Sequence, residues 1–219
     1  MHIDRMEVLR YLGHKHQYMD EKLEKLLTEC IAEMSGALRK SFVYNVYNIE
    51  RDGDKMALDD TNLIFRSRDL TMHLRNSDKC ALMAATLGLE ADRRIAYYSK
   101  TDLTKGIVMD ACASAAIEAL CDEVQEEIRI EALKEGYCCT SRYSPGYGDL
   151  PITLQKRIIE LLKAYPRIGL TVSESSIMLP RKSVTAFIGW QRQESISKGN
   201  KCSKCKDKNC IYRKATIHS

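Results

Sequence analysis

The residue group best suited to chemistry is Arg142-x-Ser144-Pro145-Gly146-Tyr147-Gly148-Asp149-x-Pro151. Two prolines and two glycines in ten residues exclude a helix or an inner strand and predict an open loop whose backbone N–H and C=O groups remain for a ligand. Arg142 contributes a planar guanidinium that suits a carboxylate or a phosphate, and Tyr147 contributes an aromatic face and a hydroxyl. The competing reading is a tight surface turn with Arg142 in a salt bridge. A second group is the lone Glu118, set among Ala115, Ala116, Ile117, Ala119 and Leu120. A carboxylate there either reaches solvent or faces a polar cavity, since a buried one needs a partner or a proton. The third group is Cys202-x2-Cys205-x4-Cys210. Clustered thiolates are soft ligands for zinc or an iron–sulfur cluster. Three cysteines leave a tetrahedral site one ligand short, and His218, Cys138, Cys139 or a partner chain are the sources for a fourth. The competing reading is a basic tail with redox-labile thiols.

Other chemistries lack their residues. There is no Gly-rich phosphate loop, no Gly-x-Ser-x-Gly elbow and no His-Glu-x-x-His, and no nucleophile–base pair is visible. His14 and His16 are one residue apart, which does not place them on one helix face, and they read as solvated.

The elements that must position these groups follow from periodicity. Val8, Leu9 and Leu12 form a short apolar stripe that stops at Gly13. Leu23, Leu26, Leu27, Cys30, Ile31 and Met34 predict an amphipathic helix beginning at Asp20. Residues 41–49 change to β-branched and aromatic types, and Asp52-Gly53 signals a turn and with it a hairpin or meander, followed by a second apolar strand at 63–65. A short helix is expected over 70–74, a buried strand over 80–87 closed by Gly88, and a long helix over 103–135 that carries Glu118. The small residues from Ala111 to Ala116 permit close approach by a backbone or a ligand, with tight helix–sheet packing as their main use. A strand is expected over 137–143, a helix opening at Pro151, and last strands over 170–173 and 183–190. Helices and strands mix without regular βαβ alternation, which predicts an α+β fold.

Composition sets the outer limits. The 219 residues suit one domain with an appendage, here residues 1–195 followed by a Cys-rich polar tail over 196–219. With 44% hydrophobic and 29% charged residues, neither disorder nor a fibre is the main state. Thirty-four Lys+Arg against thirty Asp+Glu give +4, too little and too scattered to argue for nucleic acid. No apolar run reaches a membrane span, and the N-terminus lacks a signal-peptide core, so a cytoplasmic location is expected. Nine cysteines are then mostly reduced thiols.

The run Arg142-x-x-Pro145-Gly146-Tyr147, an apolar helix, and then Ser173-Glu174-Ser175-x-x-Met178-x-Pro180-x-x-Ser183-Val184 resembles the activation domain of cobalamin-dependent methionine synthase. Glu7-Val8-Leu9-Arg10-Tyr11-Leu12-Gly13 and Thr86-Leu87-Gly88 resemble the stand-alone version of that domain. The resemblance implies a curved α+β domain, with a mainly antiparallel sheet flanked by helices, that binds S-adenosylmethionine and docks on a cobalamin module. Its implied role is reductive remethylation of the corrinoid after oxidation to cob(II)alamin. Arg142 then meets the ligand carboxylate, Ser144, Gly146 and Tyr147 line the ligand, and Glu118 lies near its polar groups. Ile188 and Gly189 fall where the family has an aromatic ligand contact, which implies a weaker or shifted pose, and an N-terminal family aspartate has no match. No Asp-x-His-x-x-Gly sequence is present, so the corrinoid must come on a separate methionine synthase chain, with an electron donor such as flavodoxin. The chain is thus expected to be an accessory component of a methyltransferase system, without an acid–base or nucleophilic site of its own. The alternative is a metal- or iron–sulfur-dependent redox activator of a corrinoid protein, working through Cys202, Cys205 and Cys210.

Overall fold

A computed structural model describes residues 2–14, 18–52 and 55–192. In chain order the elements are α1 (Arg5–Tyr11), α2 (Glu21–Ala37), β1 (Ser41–Asp52), β2 (Lys55–Leu58), β3 (Ile64–Phe65), α3 (Arg68–His73), β4 (Ser77–Thr86), α4 (Leu89–Thr101), α5 (Leu103–Lys134), β5 (Tyr137–Cys139), α6 (Leu154–Leu161), α7 (Ala164–Ile168), β6 (Thr171–Val172), β7 (Met178–Leu179) and β8 (Ser183–Arg192). Six strands form one antiparallel sheet in the order β3-β2-β1-β4-β8-β5, and β6 and β7 form a separate ribbon. The expected α+β class with a mainly antiparallel sheet is observed.

The sheet is covered on both faces, and the period-2 alternation of β4 shows why. Ala81, Met83 and Ala85 join the core beneath α1, α2, α4 and α5, while Cys80, Leu82 and Ala84 join the core beneath α3, α6 and α7. All six are fully buried. A strand buried on both faces reads as a continuous apolar run, as residues 80–87 do. The small residues of α5 serve close packing: Ala111, Cys112, Ala115 and Ala116 all lie in the first of these cores.

Helix starts follow local chemistry. Asp20 caps α2 by accepting from the Leu23 N–H at 2.8 Å, and Asp102 caps α5 by accepting from the Lys105 N–H at 3.0 Å. The hairpin expected at Asp52-Gly53 is observed as the antiparallel β1–β2 pair, with Asp52 opposite Lys55, and the structure adds elements for which the sequence reading has no counterpart: α4, α7 and β7. The expected strand over 137–143 is shorter, because Thr140 interrupts the ladder. Its side-chain Oγ1 accepts from the Gly189 N–H at 2.9 Å, and pairing resumes only at an isolated Tyr143–Phe187 bridge. The helix expected at Pro151 begins at Leu154. Among the described residues no helix is long and apolar enough to cross a membrane. The tail boundary at 195 and Cys202, Cys205, Cys210 and His218 lie outside the described residues.

Candidate functional site

Residues 140–151 run along the outer side of β8 and over the sheet edge. Extended backbone sends consecutive side chains to opposite faces. Arg142 turns to α5 on one face, and Tyr143 joins the core beneath α3 on the other.

On the α5 side, Glu118, Asp122 and Gln125 stand at i, i+4 and i+7, one stripe of a helix. All three accept from the Arg142 guanidinium. Nη2 donates to Glu118 Oε2 at 3.0 Å, and Nη1 donates to Asp122 Oδ1 at 2.8 Å and Gln125 Oε1 at 3.0 Å. The Arg142 side chain is only 17% exposed, against 40% for Glu118 and 58% for Asp122. Burial acts to lower the arginine pKa, but the Asp122 hydrogen bond and the nearby acidic groups outweigh it and leave the pKa raised. The guanidinium is therefore a fixed positive charge, held by carboxylates that still face water. The sequence reading left Glu118 between solvent and a polar cavity and Arg142 between ligand and salt bridge. The structure joins the two residues to each other and adds Asp122 and Gln125, which sequence reasoning missed. Their spacing from Glu118 along one helix stripe was the available signal.

On the other face the loop is held by α3. Asp149 accepts from Ser67 Oγ, from the Arg68 N–H at 2.7 Å and from the Asp69 N–H at 3.2 Å. Asp69 Oδ2 in turn accepts from the Asp149 N–H at 3.2 Å. The Ser67 hydrogen bond, then those from the Arg68 and Asp69 amides, hold the Asp149 carboxyl below its ordinary pKa. Gly148 sits at φ +51°, where a Cβ would lie 2.1 Å from Asp69 Oδ2 and 2.7 Å from the Tyr143 hydroxyl. Only glycine fits so close an approach at that φ.

The aromatic side chains of the loop are ordered by contact. The Tyr143 ring lies 5.2 Å from His73 and 6.1 Å from Tyr147, and its hydroxyl donates to the Tyr147 carbonyl at 3.2 Å. Burial, with Asp69 and Asp149 nearby, raises the Tyr143 pKa, so the phenol keeps its proton. Tyr147 itself is 59% exposed and presents an open ring. Contrary to the expectation of loop amides left for a ligand, several are used within the turn. The Gly146 N–H donates to the Leu150 carbonyl at 2.8 Å, Tyr147 N–H to Ser144 at 3.2 Å and Leu150 N–H to Tyr147 at 3.0 Å. Leu150 is buried, so the turn closes over an apolar anchor. Ser144 is half-buried at its base.

Ile188 and Gly189 stand on β8 beside this segment and are joined to it through backbone. The Thr140 N–H donates to the Gly189 carbonyl at 2.8 Å. The Ile188 side chain is fully buried in the core beneath α5, and a Cβ on Gly189 would meet Ser77 Oγ at 2.2 Å. The structure joins Glu118 to Arg142 on the α5 side, keeps Ser144, Gly146 and Tyr147 in one turn further along the loop, and puts the Ile188 side chain in the interior. Among the described residues no group of three or more His, Cys, Asp or Glu could hold a metal ion. Burial pushes the Cys112, Cys121 and Cys139 thiols up to about 12, which makes them packing groups and poor nucleophiles.

Comparison with known proteins adds the relationship. The description "Vitamin B12 dependent methionine synthase, activation domain" matches residues 70–214. A crystal structure of the MetH reactivation domain bound to AdoHcy superposes with a TM-score of 0.67 at 19% identity, over 91% of this chain and 76% of that one. No curated protein sequence matches. The matched span includes α5, the Arg142 loop and β8, and the chain belongs to the vitamin B12-dependent methionine synthase activation domain family.

Proposed function

We propose that this chain binds S-adenosylmethionine at the Arg142 loop and presents its methyl group to the corrinoid of a separate methionine synthase chain. The observation that carries this reading is a largely covered guanidinium held by two water-facing carboxylates at the entry of a loop whose turn bears an open tyrosine ring. The amino-acid end of the ligand brings a carboxylate and an ammonium. The carboxylate pairs with Arg142, the ammonium with Glu118 and Asp122, and the internal ion pairs are exchanged for external ones. No buried charge is stranded by the exchange, which keeps its cost low. The adenine is a flat heterocycle that suits the face of Tyr147. Family membership and the AdoHcy carried by the structurally similar reactivation domain support the choice of ligand.

The corrinoid supplies the nucleophile, and an external electron donor such as flavodoxin supplies the electron. The residues of this chain hold and orient the donor for in-line attack, and none need act as acid, base or nucleophile. The setting is the cytoplasm. The test is calorimetric titration of the full chain with S-adenosylmethionine, followed by mixing with a methionine synthase chain that lacks its own activation domain, a reductant and the ligand. Return of the methylated corrinoid spectrum only when this chain is present is the expected result. Equal recovery without it would remove the activation role.

A second reading has its own observation, the Cys202-x2-Cys205-x4-Cys210 spacing. In it the tail binds zinc or an iron–sulfur cluster and the chain reduces its corrinoid partner. Visible absorbance after anaerobic purification favours this redox reading, and a colourless protein with zinc favours a structural tail.

A further inference from the structure

We propose that α3 is the positioning element of the ligand loop, with Asp69, His73 and Asp149 as positioning residues; the proposal rests on the ligand reading above. The loop's contacts with β8 cover only its entry, through Thr140 and the Tyr143–Phe187 bridge. From Ser144 to Leu150 its shape depends on its own turn, on Leu150 anchored in the core and on α3. Asp69 and His73 stand at i and i+4, so both face the loop from one side of a single helical turn. They hold opposite ends of the segment. His73 Nε2 donates to the Ser141 carbonyl at 2.8 Å, next to Arg142, and the His73 ring lies against Tyr143. A carbonyl only accepts, so Nε2 carries the proton. At the other end Asp69 accepts the Asp149 N–H, and Asp149 accepts two N–H groups from the first turn of α3 together with Ser67 Oγ.

This is a reciprocal cap between segments about eighty residues apart. A capping box satisfies the unpaired amides of a helix start with side chains from the same helix. Here part of that satisfaction comes from the loop, so α3 and the loop order each other. Gly148 allows the closeness the exchange requires, since any side chain there would collide with Asp69. The consequence for the site is geometric. Arg142 and Tyr147 lie inside the stretch bracketed by His73 and Asp149, and a loosened bracket lowers the population of the binding shape. A shape present about one-tenth of the time weakens apparent affinity about tenfold.

The experiment uses the full chain with Asp149→Ala, Asp149→Asn and His73→Ala. It reads hydrogen exchange at the 146–150 amides without ligand, and calorimetric affinity for S-adenosylhomocysteine. Expected are faster exchange confined to the loop and α3 in Asp149→Ala and an affinity loss of about tenfold. Asp149→Asn, which keeps an acceptor oxygen, should lie between it and the parent. His73→Ala should loosen the other end, and it carries the test with Asp149→Asn if Asp149→Ala does not fold. Unchanged loop exchange would overturn the clasp, and faster exchange at unchanged affinity would overturn its positioning role. If the parent binds no S-adenosylhomocysteine, the ligand reading fails instead, and the exchange data still report on the clasp separately.

Discussion

Two charge clusters sit on α5, and their bookkeeping runs in opposite directions. Near its start, Lys105 donates to Glu33 at 2.9 Å, and Arg94 and the Tyr98 hydroxyl reach the same carboxylate at 2.6 and 2.9 Å. Burial alone would raise the Glu33 pKa, and the donors from Lys105, Tyr98 and Arg94 outweigh it and lower it. Glu90 pairs with Arg94 and with the largely exposed Arg93, so cations outnumber carboxylates there. Further along the helix, Arg142 pairs with both Glu118 and Asp122. The first cluster ties α2, α4 and α5 together and is saturated at its centre. In the second, a single arginine is held by two carboxylates that still face water. Similar residue types thus brace three helices in one place and tie a loop to a single helix in the other.

The comparison breaks most visibly at Arg142. Arg142→Ala should weaken S-adenosylmethionine binding by about 2–5 kcal/mol, the range for truncating one partner of a desolvated charge pair. The ligand-free melting temperature should move little, because the carboxylates left behind still face water. Calorimetry that finds equal affinity in parent and variant would dismiss the carboxylate assignment.

Gly148→Ala separates backbone fit from charge. It should cost about 1–3 kcal/mol in urea unfolding, the usual range for overpacking, with the disturbance centred on Asp69 and Tyr143. A neutral result would show that the loop has space absent from this structure.

A crossed pair of isosteric changes sharpens the contrast between the two clusters. Glu33→Gln should lower stability by about 1–2 kcal/mol through weaker charged hydrogen bonds and leave ligand affinity unchanged. Glu118→Gln should reverse that pattern, with a small stability change and a clear affinity loss. Thermal unfolding and titration of both variants check the crossing, and equal profiles would collapse the distinction.

The smallest effect is set by pH. Asp149 has a depressed pKa in the folded chain, so its contribution is fully present above the ordinary carboxylate value of about 3.9. It fades as pH falls below that value through the lower folded one. Loop exchange corrected for its intrinsic pH dependence should therefore accelerate below about pH 4 in the parent and stay flat in Asp149→Asn.

Much of the scaffold was legible in the sequence because single elements declare themselves. Asp20 marks the start of α2, and the alternation and apolar density of β4 and β8 reflect burial on both faces. Helix α4 was not legible, for a physical reason. Only Ala91 is fully buried along it, and it packs on α5 where a Cβ on Gly106 would lie 2.8 Å from the Ser99 backbone nitrogen. Its apolar stripe, Ala91-Ile95-Tyr98, is narrow, only partly buried and set among Asp92, Arg93 and Arg94. At the site, the loop composition and the family resemblance pointed to Arg142, Tyr147 and Glu118. The clasp on α3 escaped notice because Asp149 is bonded to Ser67, Arg68 and Asp69, a pairing that no local pattern encodes.

The place of β8 in the sheet has a consequence during synthesis. The Arg142 loop closes on β8 through Thr140 and Tyr143, and β4 waits for the same strand as its second neighbour. Every residue assigned to the ligand's amino-acid end leaves the ribosome before Ser183. At about 5–20 residues per second, several seconds of translation separate Arg142 from the end of β8. Through that interval one edge of β4 stands unpaired, and a nascent chain paused there presents a strand whose residues 80–86 are all buried in the finished fold. Chaperone demand should therefore peak just before the last strand emerges.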